Sequence, residues 1–317
     1  MPSGRVLITG IEGFVGCHLA RHLDSLGLEV IGLHWQEPTE PLPARLVRGD
    51  VREPAALNAL LEETRPDYVV HLAALSSVAA SEAHSLTAYQ VNVIGTLNLL
   101  DSVRRLGLHC RVLLISSADV YGRSNVGQQL TENDPPQPVS AYALSKLMAG
   151  EAGRFYHRVY GVDVVILRPF SHTGPGQAPH FVFPKVACGI AQAEADTAPP
   201  VIEMGNLDVR RDYSDVRDIV RAYGLALDRC SSGETYNVTS GQPVLLREAV
   251  DFLCSLARVR VKVRSSATHF RSRDIPLLTG DPAKFQAATG WQPQIHLHQT
   301  LTDLLDYCRS QTAACRK

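Results

Sequence analysis

A tyrosine and a lysine stand four residues apart in the segment Tyr142–Lys146, which reads YALSK. Residues with this spacing lie on one face of a helix, about one turn apart, so the Lys146 ammonium is expected beside the Tyr142 phenol. Moving the pKa of a phenol from near 10 to about 7 takes roughly 4 kcal/mol, which a nearby cation and a serine hydroxyl can supply. The pair is therefore predicted to act as a proton donor or acceptor.

A glycine-rich loop precedes this pair in the chain. Gly10, Gly13 and Gly16 follow a short apolar segment and open a helix, with Phe14 and Val15 between the last two glycines. Bare backbone at such a junction admits a pyrophosphate, and the positive end of the helix meets its charge. The first gap is one residue wider than in the common dinucleotide fingerprint. Loop and tyrosine together predict a dinucleotide site and hydride-transfer chemistry.

The end of the second predicted strand bears on the choice of cofactor. A strict NAD site usually has Asp or Glu there to hold the ribose hydroxyls, whereas this chain reads Leu33-His34-Trp35. No arginine follows directly, and His34 is only weakly cationic at neutral pH. We therefore expect NADPH to bind at least as well as NADH, with dual use open. Asp50, after the third strand, is predicted either to receive the adenine amino group or to serve as a turn residue.

The elements that must position these residues alternate between apolar strands and helices. This alternation predicts a Rossmann-type, doubly wound α/β fold with a parallel sheet covered on both faces. The predicted strands are Arg5–Thr9, Glu29–Leu33, Arg45–Arg48, Tyr68–Leu72, Arg111–Ser116, Val162–Leu167 and Thr235–Val238. The predicted helices are Gly13–Leu26, one beginning at Pro54, Ala88–Leu106, Tyr142–Tyr160 and Val216–Arg229.

The pattern loosens after Pro169, which predicts a change of domain. We assign residues 1–170 to the dinucleotide-binding domain, with residues 213–240 returning to it. Residues 171–212 and 241–317 are predicted to form a smaller C-terminal α/β lobe that binds the substrate.

Composition narrows the classes of partner. The 317 residues include 31 Lys and Arg against 32 Asp and Glu, and this balance argues against general binding to nucleic acid or to membrane surfaces. No apolar run reaches transmembrane length, and no secretion signal is recognisable at the start of the sequence. The seven cysteines are scattered without a Cys-x-x-Cys pair, which is typical of reduced thiols in the cytoplasm and predicts no metal site.

Several motifs occur in an order that resembles the extended short-chain dehydrogenase/reductases. In the first half these are Thr9–Gly16, His71–Ala74, Asn92–Thr96, Ser116–Ser117 and Tyr142–Lys146. The second half resembles the branch that acts on nucleotide-diphosphate sugars, through Arg168–Gln177, Val209–Asp218 and Arg271–Pro276. Within that branch the chain resembles the GDP-4-keto-6-deoxy-D-mannose reductases, which make GDP-D-rhamnose.

This resemblance implies roles for individual residues. Ser117 and Tyr142 are implied to flank a sugar carbonyl, with Lys146 on the nicotinamide ribose. The implied cofactor contacts are Gly10, Gly13, Phe14, Val15, Gly16, Asp50, Val51, Leu72, Ala73, Ala74, Asn92, Ser116, Tyr142, Lys146 and Arg168. The implied substrate contacts are Ser76, Ser77, Asp119, Ser171, His172, Gly205, Arg211, Arg271 and Asp274. The related reductases usually have Asn at the position of Ser171. His172 is as consistent with a packed loop histidine as with a substrate contact.

Other readings of the same motifs stay open. A 4,6-dehydratase needs an acidic pair after the catalytic serine, and Ala118-Asp119 supplies only one acid, with a shorter side chain than the usual glutamate. A nucleotide-sugar 4-epimerase needs only the serine, tyrosine, lysine and a retained cofactor. A non-catalytic, cofactor-sensing protein of the same fold would not need Tyr142 and Lys146. The resemblance also implies a homodimer formed by the Ala88–Leu106 and Tyr142–Tyr160 helices.

Overall fold

The computed structural model describes residues 4–122, 129–266 and 275–314. The strands are β1 Arg5–Thr9, β2 Glu29–His34, β3 Arg45–Arg48, β4 Tyr68–His71, β5 Arg111–Ile115, β6 Val164–Pro169, β7 Ser171–Thr173, β8 Val201–Met204, β9 Arg210–Asp215, β10 Thr235–Val238, β11 Pro243–Leu245, β12 Lys262–Ser265 and β13 Leu277–Leu278. The helices are α1 Phe14–Ser25, α2 Pro54–Thr64, α3 Val78–Ala83, α4 Ser85–Tyr89, α5 Gly95–Arg105, α6 Ala141–Tyr160, α7 Val182–Glu194, α8 Val216–Arg229, α9 Leu246–Ser255, α10 Ala283–Thr289 and α11 Leu297–Ala314.

Seven strands form one parallel sheet in the order β3-β2-β1-β4-β5-β6-β10. Its inner strands are mainly apolar because helices cover both faces, whereas the edge strand β3 begins and ends with arginine and is largely exposed. On one face, Leu19 and Leu23 of α1 pack with Val220 of α8. On the other, Leu57 of α2 packs with Leu99 of α5. The predicted Rossmann-type fold is confirmed.

The strands end together at the carboxyl edge of this sheet. Thr9 of β1 pairs with both Leu33 of β2 and His71 of β4, so these three strands end level with one another. Successive strands are added on opposite sides of β1, which makes a crevice between β1 and β4 at this edge. Ligands of open α/β sheets bind at such a point. The predicted glycine loop starts there, at Gly10.

The remaining strands form two small sheets. β9 pairs antiparallel with β11 and parallel with β7 and β13, and β8 pairs with β12. Helices α7, α9 and α11 enclose an apolar core that includes Phe183, Val250 and Leu304. Within residues 213–240, β10 extends the main sheet beside β6, and α8 packs on α1.

The long helix predicted over Ala88–Leu106 contains a π-helical turn. The chain is helical from Ser85 to Arg105, and the turn at Gln90–Ile94 joins α4 to α5. The turn surrounds Asn92, which is buried and accepts a hydrogen bond from Leu75 N at 2.8 Å. Its Nδ2 also donates to Ser145 Oγ of α6 at 2.8 Å. These contacts favour the wider turn, a feature common at functional sites.

Candidate active site

Three consecutive residues at the end of β5 contact the first turns of α6. The carbonyl oxygen of Ile115 accepts a hydrogen bond from Lys146 Nζ at 2.7 Å, and Ser116 Oγ donates to the Lys146 carbonyl at 3.1 Å. Ser117 is hydrogen-bonded to the Tyr142 side chain. The strand end therefore holds the Tyr142 side chain at the Ser117 hydroxyl and the Lys146 ammonium at a backbone carbonyl.

The surroundings of Tyr142 shift its pKa upward. Burial is the largest cause, the Asp119 carboxylate adds to it, and the hydrogen bond with Ser117 opposes it. The direction is opposite to the predicted stabilisation of phenolate. Lys146 is not among the groups that shift the pKa of Tyr142, and its ammonium donates to the Ile115 carbonyl. Tyr142 is therefore a neutral phenol at physiological pH, suited to giving a proton rather than taking one.

Lys146 is buried, and desolvation lowers its pKa to about 8. A lysine in this range is mainly protonated at neutral pH but loses its charge under mildly alkaline conditions. The ammonium thus supplies a positive charge inside the site only below that range.

The glycine loop fits the close approach of a phosphate group. Gly10 has φ of +71°, and a Cβ there would lie 2.8 Å from backbone atoms of Ala73. A Cβ on Gly16 would lie 2.5 Å from the Ile11 carbonyl oxygen. A side chain at either position would strike the protein's own backbone, so only glycine lets the loop pack this tightly. Gly10, Gly13 and Gly16 line the cavity as bare backbone at the start of α1. This loop would hold the pyrophosphate of a dinucleotide.

One cavity of about 1550 Å³ runs along the carboxyl edge and into the smaller lobe. Its volume exceeds the roughly 300–1,000 Å³ typical of a site for one small ligand, so it has room for a dinucleotide and a second molecule. Most of the predicted site residues line it. These are Gly10, Gly13, Phe14, Val15, Gly16, Asp50, Val51, Leu72, Ala73, Ala74, Ser76, Ser77, Ser116, Ser117, Asp119, Tyr142, Lys146, Ser171, His172, Gly205 and Arg211.

Two described site residues that were predicted, Asn92 and Arg168, do not line the cavity. Asn92 instead joins Leu75 to α6, as described above. Arg168 is buried behind the wall, where its Nη1 donates to Tyr121 Oη at 2.9 Å. Both residues contact protein groups behind the wall, and their contact with a cofactor stays a prediction. Arg271 and Asp274 lie outside the described residues.

His172 is a packed, hydrogen-bonded loop histidine that also lines the cavity. It lines the cavity, and its ring stacks on Phe14 with a centroid separation of 6.3 Å. Its Nδ1 lies 3.0 Å from the Phe170 carbonyl oxygen, and burial lowers its pKa. A neutral imidazole therefore packs between the glycine loop and the start of the smaller lobe.

Lys185, Tyr223 and Glu12 are among the lining residues that were not predicted from the sequence. Lys185 is the one basic residue in α7, a signal that could have been read from an otherwise apolar helix. Tyr223 comes from the buried face of α8 and carried no signal. Glu12, inside the glycine loop, is a carboxylate where a phosphate site would favour neutral residues.

Comparison with known proteins bears on what this site does. Residues 7–304 match the family described as GDP-mannose 4,6 dehydratase. The chain belongs to the GDP-mannose 4,6-dehydratase family. The predicted membership of the nucleotide-sugar branch of the extended short-chain dehydrogenase/reductases is thereby confirmed, and with it the prediction of an NAD(P)-dependent enzyme.

Relatives of the chain include a reductase and an epimerase. GDP-6-deoxy-D-mannose reductase of Pseudomonas aeruginosa is 34% identical over 302 residues, covering 95% of this chain and 96% of that protein. The structure of RMD from Pseudomonas aeruginosa complexed with NADPH has a TM-score of 0.86 at 34% identity, covering 97% of this chain and 99% of that one. UDP-glucose 4-epimerase of Thermus thermophilus complexed with NAD has a TM-score of 0.86 at 30% identity, with 96% and 99% covered. Members of this family thus combine one fold with more than one reaction.

Proposed function

We propose that the protein uses NAD(P)H to reduce the C4 keto group of a nucleotide-linked 4-keto-6-deoxy sugar. The proposed substrate is GDP-4-keto-6-deoxy-D-mannose and the product GDP-D-rhamnose. The observation that carries the proposal is a neutral Tyr142, hydrogen-bonded to Ser117 on the cavity wall, beside the non-acidic Ala118. Similarity to GDP-6-deoxy-D-mannose reductase supports the choice of substrate.

The residues of the site have distinct proposed tasks. The nicotinamide cofactor, when bound along the glycine loop, supplies the hydride. Tyr142 gives its proton to the C4 oxygen of the sugar. Because its pKa is raised, the phenol keeps this proton until hydride transfer places negative charge on that oxygen. Ser117 donates a hydrogen bond to the same oxygen as charge develops. Lys146 supplies the buried positive charge and holds the nicotinamide ribose.

Substrate recognition is proposed to fall mainly to the smaller lobe. Arg211 of β9 and Lys185 of α7 both line the cavity there, and two cations suit a diphosphate. Asp119 lines the cavity, and its proposed task is to accept hydrogen bonds from sugar hydroxyls. The further proposed sugar contacts are Ser76, Ser77, Ser171, His172 and Gly205. The division into a dinucleotide-binding domain, 1–170 with 213–240, and a nucleotide-sugar lobe, 171–212 and 241–317, is part of this proposal.

Dehydration and epimerisation are less well supported. Ala118 is buried and can neither give nor take a proton, so the acid pair that a 4,6-dehydratase needs is incomplete. Epimerisation is the second candidate, favoured by the similarity to an NAD-bound UDP-glucose 4-epimerase. It needs no residue beyond Ser117, Tyr142 and Lys146.

Purified protein should oxidise NAD(P)H only in the presence of a 4-ketosugar. The assay offers GDP-, UDP- and dTDP-linked hexoses and their 4-keto-6-deoxy derivatives, and follows absorbance of the reduced cofactor and product stereochemistry. We expect GDP-4-keto-6-deoxy-D-mannose to be reduced fastest. Inversion of an intact hexose without net oxidation of the cofactor would establish the epimerase instead, and loss of water from it would establish the dehydratase.

A homodimer is proposed on the exposed face of α6. Leu144, Met148, Phe155 and Val159 are apolar, 38–51% exposed, and spaced so that they form one stripe along the helix. Ile94, beside this helix, is also 48% exposed. In the described parts of the chain no helix is long and apolar enough to cross a membrane. An apolar stripe of this kind suits a second copy of the chain.

Charging this stripe should separate the subunits. In the double variant Met148→Glu/Phe155→Glu, like charges would be buried in the interface, so we expect monomers at micromolar concentration. Light scattering coupled to size-exclusion chromatography measures the mass. Val259→Glu, on an equally exposed valine of the smaller lobe, should leave the dimer intact. A wild-type protein that is monomeric would contradict the assignment.

A further inference from the structure

Glu12 reaches from the glycine loop to the end of β2. Its Oε1 accepts hydrogen bonds from Trp35 N at 2.9 Å and from Gln36 N at 3.4 Å. All three residues line the large cavity. The glycine loop thus places a carboxylate at the end of β2, where the strand itself has no acidic residue.

The two N–H groups at this point form a small anion site. Successive backbone N–H groups that converge on one atom bind anions. In Rossmann-type folds the adenosine ribose lies at the end of the second strand, where NADPH carries its 2′-phosphate and NAD a hydroxyl. Because Glu12 already occupies both donors, a 2′-phosphate would have to displace the carboxylate or lie against its charge.

The other charged residues that line the cavity at this end do not compensate for the charge of Glu12. Arg52 donates to Asp50 Oδ2 through Nε at 2.8 Å and through Nη2 at 2.5 Å. Its guanidinium lies 5.4 Å from the centroid of the Trp35 ring. Among the described residues that line the cavity at this end, Arg52 is the one cation. Its single positive charge is outnumbered by the carboxylates of Glu12 and Asp50. The balance of charge is negative, which disfavours an added phosphate.

A ribose hydroxyl, in contrast, suits the carboxylate. Glu12 Oε2 is buried and has no hydrogen-bond partner within residues 4–122, 129–266 and 275–314. A carboxylate accepts several hydrogen bonds, so Glu12 retains acceptor capacity that a hydroxyl can satisfy and a phosphate anion cannot.

We propose that Glu12 sets the cofactor preference, by holding the place of a 2′-phosphate and accepting from the adenosine ribose, so that NADH binds more tightly than NADPH. This reverses the expectation drawn from the strand end alone. The acid that holds the ribose comes from the glycine loop instead of from β2. The inference depends on a nicotinamide cofactor in this cavity, as the proposed function does, but not on the identity of the sugar.

Binding measurements test this role directly. NADH and NADPH are titrated by fluorescence, and AMP and adenosine 2′,5′-bisphosphate, which differ only in the 2′-phosphate, are used as competitors. We expect the wild-type protein to bind NADH about tenfold or more tightly than NADPH, as a like-charge contact implies. Glu12→Gln, which keeps the shape but removes the charge, and Glu12→Ser, which vacates the anion site, should lower this ratio by about tenfold or more.

Glu37→Gln is the matched control. Glu37 is exposed one residue beyond Gln36 and is not a lining residue, so the variant removes the same charge from the same turn without touching the site. It should leave the ratio unchanged. Thermal unfolding checks the fold of each variant. If Glu12→Ser does not fold, the ratio measured for Glu12→Gln tests the role of Glu12.

Two outcomes would overturn the role of Glu12. One is a wild-type protein that binds NADPH at least as tightly as NADH, and the other is an equal change of the ratio in Glu12→Gln and Glu37→Gln. A protein that reduces no ketosugar yet shows the expected ratios would refute the proposed function and leave the role of Glu12 standing.

Discussion

Replacing Tyr142 by phenylalanine should lower kcat for carbonyl reduction by on the order of 10²-fold or more, with little change in cofactor affinity. The variant removes the hydroxyl that carries the proton while keeping the ring that fills the cavity wall. Stopped-flow or steady-state absorbance with a 4-ketosugar gives kcat, and fluorescence titration gives the cofactor Kd. The split between the two constants separates loss of a proton donor from loss of the binding site.

Tyr307→Phe provides the control for this variant. Tyr307 lies on α11, is partly buried against the core of the smaller lobe and does not line the cavity. Loss of its hydroxyl should leave kcat unchanged. A fully active Tyr142→Phe protein would contradict the mechanism even if the substrate were correct.

Replacing Lys146 by methionine should lower kcat/KM by on the order of 10²-fold, because the buried positive charge is lost while the length of the side chain is kept. Lys262→Met, on an exposed lysine of β12, should have no such effect. The measurement is the same absorbance assay at several concentrations of ketosugar and cofactor. Equal activity of the two variants would exclude an electrostatic role for Lys146.

The pH profile supplies a second readout for the same residue. Burial lowers the pKa of Lys146 to about 8, so the ammonium is present below that pH and is lost as the pH rises through it. In the wild-type protein kcat/KM should therefore fall on the alkaline side of about pH 8. The residual activity of Lys146→Met should lack this limb, whereas a purely structural lysine would leave it in place.

Features that depend on short stretches of chain could be predicted well. The bounds of β1, β3, β10 and α8 are those read from the apolar pattern. This succeeded because short apolar or β-branched runs between turn residues mark strands, and helices end at turn residues. The position of the glycine loop followed from the same order of strand, loop and helix. Most of the predicted site residues therefore lie on the cavity wall.

Features that depend on distant residues could not be predicted. Asn92 and Arg168 were assigned to the cofactor, but their hydrogen bonds to Leu75 and Tyr121 hold them behind the wall. The π-helical turn at Gln90–Ile94 leaves no periodic pattern in the sequence, because it depends on hydrogen bonds from Asn92 to other elements. Lys185 reaches the cavity only because the smaller lobe folds over the carboxyl edge of the sheet.

The sequence by itself determined the fold class, the strand-edge location of the site and the Tyr142–Lys146 pair, since each rests on spacing along a strand or helix. Tertiary structure decided how those groups behave. The pKa of Tyr142 rises because burial and Asp119 outweigh the Ser117 hydrogen bond. Glu12 reaches the end of β2 because the glycine loop folds against it. Desolvation and charge depend on distances through space, and these distances exist only in the folded chain.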